Sequence, residues 1–373
     1  MIIRYETAGS INGLETIIHD VLTHSAITGL LILSCDNNQF TADRINPVLK
    51  KINVPVLGGI FPSIVYGNEL WNNGSIVLGL TNLKEVHLID QLSNDQLNYE
   101  DILDKKIPDM GDSKTMMVFV DGFAKRISSF IEGLFSVFGL DINYIGGGAG
   151  SLSMKQKPCL FSNQGLVEDC AVIGLLNAHS GVGVSHGWTV LNGPYRVTES
   201  DHNTIKTLDW RPAFEVYHEV VAAHAEKSLT QDNFFEISKA YPFGIARMNN
   251  EQIVRDPILS KPDQSLVCVG EVPEGSIVSI LNGDNASLIK AAGTAVQIGI
   301  ASFPSHKTKE TIFIIDCISR VLFLENQFKL ELEAAHYGDL PLVGACSLGE
   351  IANCGNEFLE FYNKTCVVAV LEK

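Results

Sequence analysis

The chain alternates between short runs of buried-type residues and amphipathic stretches, and the runs come back in a recognisable order. Gly29-Leu-Leu-Ile-Leu-Ser34 is followed by an amphipathic stretch at Ile45–Ile52, by Val54-Pro-Val-Leu-Gly-Gly59 and by Gly74-Ser-Ile-Val-Leu-Gly-Leu80. The order repeats from Thr115-Met-Met-Val-Phe-Val120, through a helical stretch at Ala124–Phe138 and the glycine turn Ile145-Gly-Gly-Gly-Ala-Gly150, to Cys170-Ala-Val-Ile-Gly-Leu-Leu176. A third copy runs from Thr311-Ile-Phe-Ile-Ile-Asp316 through Leu340-Pro-Leu-Val-Gly344 to Lys364-Thr-Cys-Val-Val-Ala-Val370. Runs this short, rich in β-branched residues and bounded by Gly, Pro, Asn or Asp, read as buried strands. The pattern therefore predicts an α/β fold with mixed sheets, built on a weakly repeated strand–helix–strand–strand unit.

Between the second and third copies the pattern changes. Gly181–Trp188 reads as a strand entering a turn, and Pro212 opens a helix to about Lys227, at a position where a missing N–H costs nothing. Ser265–Val269 and Ser276–Leu281 read as paired strands around Pro273-Glu-Gly275. An Ala-rich helix follows at Ala286–Ala301, with Asp284 and Asn285 as caps. The division is placed near Asp209–Pro212, giving domains 1–209 and 210–373. Phe130, Leu134, Phe135 and Phe138 have the spacing of a helix face packed on a core.

Bulk composition narrows the function. At 373 residues, 46% hydrophobic and 19% charged, the chain can fill more than one core. A formal charge of −16 repels polyanions, so neither nucleic acid nor an anionic membrane surface is expected as a partner. The first ten residues lack the basic head and apolar core of a secretory signal, and no apolar run approaches the length that spans a bilayer. Eight cysteines without C-x-x-C spacing read as reduced thiols, which suits a cytoplasmic location and offers no zinc knuckle.

Five stretches carry a resemblance to a known family. They are Tyr144–Gly150 with Asp169–Leu176; Gly183-Val-Ser-His-Gly-Trp188; Arg196-Val-Thr198 with Thr207–Ala213; Asp316-Cys-Ile-Ser-Arg320; and Pro341–Glu350 with Asn363-Lys-Thr365. In this order and spacing the chain resembles the FIST proteins, with paired N- and C-terminal domains. One departure is Tyr241-Pro-Phe-Gly244, where a His-Pro pair is common. The resemblance implies a sensory protein for bacterial signal transduction that binds a small molecule, such as an amino acid. It also implies output to a histidine kinase or a cyclic-dinucleotide enzyme on a separate polypeptide. Some stand-alone members bind haem and sense nitric oxide, so haem enters as an alternative cofactor.

Candidate chemistry gathers at predicted strand ends, where α/β folds place their ligand crevices. Arg320 could clamp a carboxylate, or instead cap or tie the neighbouring loop, and Glu350, beside Ser347, could hold an ammonium group. Alternatively, Arg320 and Glu350 pair with each other. Cys317 and Cys346 lie nearby and are the candidates for a thiol-based activity, although no His-Asp combination stands next to them to lower their pKa. His186 and Trp188 could ligate and pack a haem, or serve as structural residues; His179, His218 and His224 are further candidate ligands. His218-Glu219 fails as H-E-x-x-H because position 222 is alanine. Gly146–Gly150 lacks a Walker lysine and reads as a tight turn and close packing rather than a phosphate cradle. No catalytic residue and no metal ligand set is assigned.

Overall fold

The computed structural model describes residues 1–247, 252–354 and 358–373. It is a mixed α/β fold in which the three sequence copies become three structurally equivalent units. In each, a first strand pairs in parallel with a second strand and antiparallel with a closing strand. Gly29–Cys35 lies between Val56–Phe61 and Ser75–Leu80; Thr115–Asp121 lies between Asn143–Ala149 and Cys170–Leu176; Lys309–Cys317 lies between Leu342–Ser347 and Cys366–Glu372. An edge strand then covers each closing strand: Ile2–Glu6, Leu83–Asp90 and Ser180–Ser185 respectively.

The outer two positions of each sheet are supplied by another unit. Ser63–Tyr66 and Glu69–Trp71 of the first unit pair onto the third unit's sheet. Glu350–Cys354 and Phe358–Tyr362 of the third unit join the second unit's sheet. Leu160–Ser162 and Gly165–Val167 of the second unit return to the first. The exchange closes a ring of three six-stranded sheets. Phe61 and Phe119 meet edge to face between the first two sheets, with ring centres 5.9 Å apart.

Strand chemistry accounts for these central positions. Every residue of Gly29–Cys35, Thr115–Asp121 and Cys170–Leu176 is buried, as expected of strands covered on both faces. One glycine recurs at the same register: Gly58 opposite Ile32, Gly146 opposite Val118 and Gly344 opposite Ile314. A Cβ at any of the three would fall inside the carbonyl oxygen of that partner residue. The expected glycine turn at Ile145–Gly150 is thus corrected: Asn143–Ala149 is strand, and Gly146 is there for close backbone approach.

The third unit alone carries a large insertion, between Ser180–Ser185 and the helix Asn285–Ser302. It forms a seven-stranded antiparallel sheet with strands from Thr189–Asp201 to Ile277–Asn282. Leu266–Val269 and Ile277–Asn282 are strands, but they do not pair with each other; Phe243–Ala246 and Gln252–Ser260 lie between them. The helix after Pro212 is Ala213–Ala225, and Asp284 caps Asn285–Ser302 by a reciprocal box with Ser287. Strand pairing crosses residue 209 in three of the four sheets. Among the described residues, no helix is long and apolar enough to cross a membrane.

The recurring glycines are a direct test of this architecture. Gly146→Ala and Gly344→Ala are each expected to cost about 3 kcal/mol or more, because the added methyl overlaps backbone that cannot move without breaking the ladder. Gly67→Ala, with open space around its Cβ and a φ of +61°, is expected to cost only the left-handed strain of about 1–2 kcal/mol. Urea unfolding of the three variants measures the difference.

Candidate functional site

Three of the five family-like stretches, far apart in sequence, converge on one buried arginine. Arg320, on the short helix Ile318–Leu324, is fully buried. Its Nε donates to Glu331 at 2.8 Å and lies 3.2 Å from Asp316, and its Nη2 is 2.7 Å from Glu331. The remaining donors reach main-chain oxygens: Nη1 to His186 at 2.6 Å and Lys364 at 3.2 Å, and Nη2 to Leu288 at 2.9 Å. A guanidinium has five N–H groups, and these contacts use them all. Arg320 is therefore corrected from a ligand clamp to an internal strut. Its acidic partners are Asp316 and Glu331; Glu350 is not among them.

Burial, and next the Glu331 carboxylate, raise Asp316 well above the usual range. Asp316, Glu331 and Cys366 stand close enough to suggest a metal site. The guanidinium already supplies positive charge to both carboxylates, at Asp316 Oδ1 and Glu331 Oε1.

Glu350 begins the strand that crosses to the second unit. It accepts a hydrogen bond from Ser347 Oγ at 2.8 Å, and from the Cys317 thiol and the Thr365 main-chain N–H. Burial raises it to about 8 despite these bonds. The Cys317 thiol is pushed up by burial and by Glu350, and Cys346 is raised by burial and by Asp316. Both shifts run opposite to what a thiolate nucleophile needs. Cys317 Sγ also lies 3.1 Å from Ser319 Oγ.

His186 and Trp188 belong to the same knot. Trp188 is buried against Phe323, and its Nε1 donates to the Lys364 carbonyl at 3.1 Å. His186 Nδ1 accepts from the Trp188 main-chain N–H at 2.9 Å, and burial lowers the ring to about 4. One ring nitrogen is thus engaged, the charge of Arg320 also lowers the ring, and neither residue lines the cavity described next. These residues do not fit haem ligation.

Above the knot lies a cavity of about 610 Å³. One wall is formed beyond the carboxyl ends of the first strands in units two and three, through Gly122–Lys125, Ile127, Ser128 and Cys317–Ser319, with Leu348 after the second strand of unit three. The inserted sheet supplies the opposite wall, through Asp256, Ile258 and Cys268–Glu271. Its surface is mainly apolar, and Leu152, Met154, Phe235 and Leu322 remain partly exposed at their positions on it. Polar groups are few: Asp95, Lys125, His202, Asp256, Glu271 and Asn363 among them.

Of the predicted residues only Cys317 reaches this cavity; Ser347, Glu350, Cys346 and Arg320 lie behind it. Sequence reading missed Asp256, His202 and Asn363 as site residues. Asn363-Lys-Thr365 was legible as a motif, but nothing in the sequence pairs Lys364 Nζ with Asp256 Oδ2, 3.1 Å away and buried.

Comparison with known families is consistent across most of the chain. The model of the FIST N domain matches residues 29–211, and that of the FIST C domain matches residues 213–353. No curated protein matches.

Two measurements test the knot. Arg320→Met leaves Asp316 and Glu331 facing each other without a cation and is expected to cost about 3–5 kcal/mol in urea unfolding; Arg320→Lys should not restore it, having three donors in place of five. Glu350 holds its proton in the folded chain up to about pH 8, against about 4.5 for the free carboxyl. Between those values the folded state binds the extra proton, so this contribution is full below the lower pH and falls as pH rises through the upper. Asp316 acts in the same direction. Glu350→Gln should match the parent at about pH 5 and exceed its stability at about pH 8.5.

Proposed function

The chain belongs to the FIST family, which is associated with sensory signal transduction, and on that premise we propose that it is a small-molecule sensor whose ligand enters the cavity between the strand ends and the inserted sheet. The observation that carries this reading is the cavity itself: concave, open on one side, largely apolar and set at the carboxyl ends of parallel strands in two units. Concave apolar sites with a few placed polar groups are the usual form of small-ligand sites.

A ligand there touches two bodies at once, the ring of units and the inserted sheet. It favours whichever arrangement of the two it binds more tightly, and only that difference in affinity can drive a signal. The output passes to a separate signalling enzyme in the cytoplasm, a histidine kinase or a cyclic-dinucleotide enzyme. A thiol-dependent enzyme is disfavoured by the raised pKa of Cys317, the one predicted cysteine at the cavity.

Filling the cavity separates this reading from others. Thermal unfolding is measured with the small-molecule fraction of a cell extract, for the parent and for Ile258→Trp. The parent should gain stability with the logarithm of ligand concentration, reaching about 2.7 kcal/mol at a hundredfold excess over Kd, and the variant should gain nothing. An undiminished response in Ile258→Trp would place the ligand elsewhere. Haem titration that gives a saturable Soret band in both proteins would put haem in place of the cavity ligand.

A further inference from the structure

Two groups in the cavity floor have polar atoms with no partner among the described residues. Asp256 pairs with Lys364 through Oδ2, while its Oδ1 accepts no hydrogen bond. Asn363 Oδ1 accepts from Arg255 Nη1 at 3.4 Å, while its Nδ2 donates to nothing. Both residues line the cavity and are no more than 2% exposed. Their positions are coupled through neighbours, since Arg255 precedes Asp256 and Lys364 follows Asn363.

The orientation of Asn363 follows from Arg255. Turning the amide over would set its NH2 against a guanidinium N–H, donor against donor. The floor therefore offers one acceptor, Asp256 Oδ1, and one donor, Asn363 Nδ2. A buried polar group left unpaired costs about 1–3 kcal/mol, which a ligand with the complementary pair of groups recovers.

Charge selects among such ligands. The Asp256 carboxylate is already balanced by Lys364, whose Nζ also donates to the Lys239 carbonyl at 2.9 Å. An ammonium head would face Asn363 Nδ2 donor to donor. A carboxylate head would meet Asp256, and the guanidinium of Arg320 has no N–H left for it. A neutral head carrying N–H beside C=O meets neither objection.

We infer that the polar end of the ligand is a neutral amide-type edge (a primary amide, lactam or cyclic imide) that donates its N–H to Asp256 Oδ1 and accepts at its C=O from Asn363 Nδ2. Its apolar body lies against Phe123, Ile258, Leu322 and Leu348, the cavity's hydrophobic wall. This inference rests on the reading that the cavity is the ligand site.

Four probes of similar size test it by saturation-transfer NMR and calorimetry on the full chain. Dihydrocarbostyril is a benzo-fused lactam; its N-methyl derivative lacks the N–H; phenethylamine carries a cation; hydrocinnamate carries a carboxylate. Dihydrocarbostyril should bind, and the N-methyl form should bind at least about tenfold more weakly. That comparison uses the parent protein, so it does not depend on any variant folding. Asn363→Leu should then reduce the lactam's advantage, and Ile258→Trp should abolish binding of all probes. Tighter binding of phenethylamine or hydrocinnamate, lost in Ile258→Trp, would overturn the head-group inference while leaving the cavity in place. Lactam binding that persists in Ile258→Trp would overturn the cavity reading itself. No detectable lactam binding would mean that water alone serves Asp256 and Asn363, and would overturn the inference.

Discussion

The buried guanidinium of Arg320 is the constraint on which the rest of the site depends. Its five N–H groups bind the first strand of the third unit, the helix carrying Glu331, the turn at His186, the start of Asn285–Ser302 and the loop at Lys364. Planarity and a fixed fork of donors suit arginine to this role, which a flexible ammonium could not fill. An ion pair this deep is expensive to desolvate, so its return lies in bringing distant segments to one geometry. That geometry sets Asn363 and Lys364 under the cavity, and Lys364 in turn neutralises Asp256.

Three units with one strand order make the scaffold, and exchanged hairpins lock it. Because each unit completes a sheet belonging to another, no unit buries its own outer edge. The two FIST matches meet at residues 211 and 213, within a sheet whose strands come from both. The proposed site lies where the symmetry breaks. Only the third unit has the inserted sheet, which roofs the strand ends of units two and three. Cys317 occupies the position of Cys35 and Asp121 in the other units. Asp121 accepts from Phe123, Asp169 and Gln156 within its own loops, so the same strand end has become a local brace.

Much of this was legible in the sequence. The buried strands, the threefold recurrence and the carboxyl-end location all follow from apolar runs and their punctuation, which are local signals. The hairpin exchange was not, because Ser63–Tyr66 or Glu350–Cys354 carry no mark of which sheet they join; register between remote strands is settled by packing. Asp256 escaped notice for a similar reason. Arg255-Asp-Pro257 reads as a polar break, yet the run is buried strand, tolerated because Arg255 bonds to the carbonyls of Glu271 and Phe361 and Asp256 pairs with Lys364. Arg320 was found by type and place, with a ligand clamp and a loop tie both open, since saturation of its donors is visible only once separate segments are assembled.

Hydrogen–deuterium exchange of the full chain, with and without the small-molecule fraction that stabilises it, tests the central claim most directly. The account predicts slowed exchange in three separated segments, residues 122–128, 266–271 and 318–322, which meet only at the cavity. Protection confined to the neighbourhood of His186 and Trp188, or to the outer strands of the inserted sheet, would contradict it.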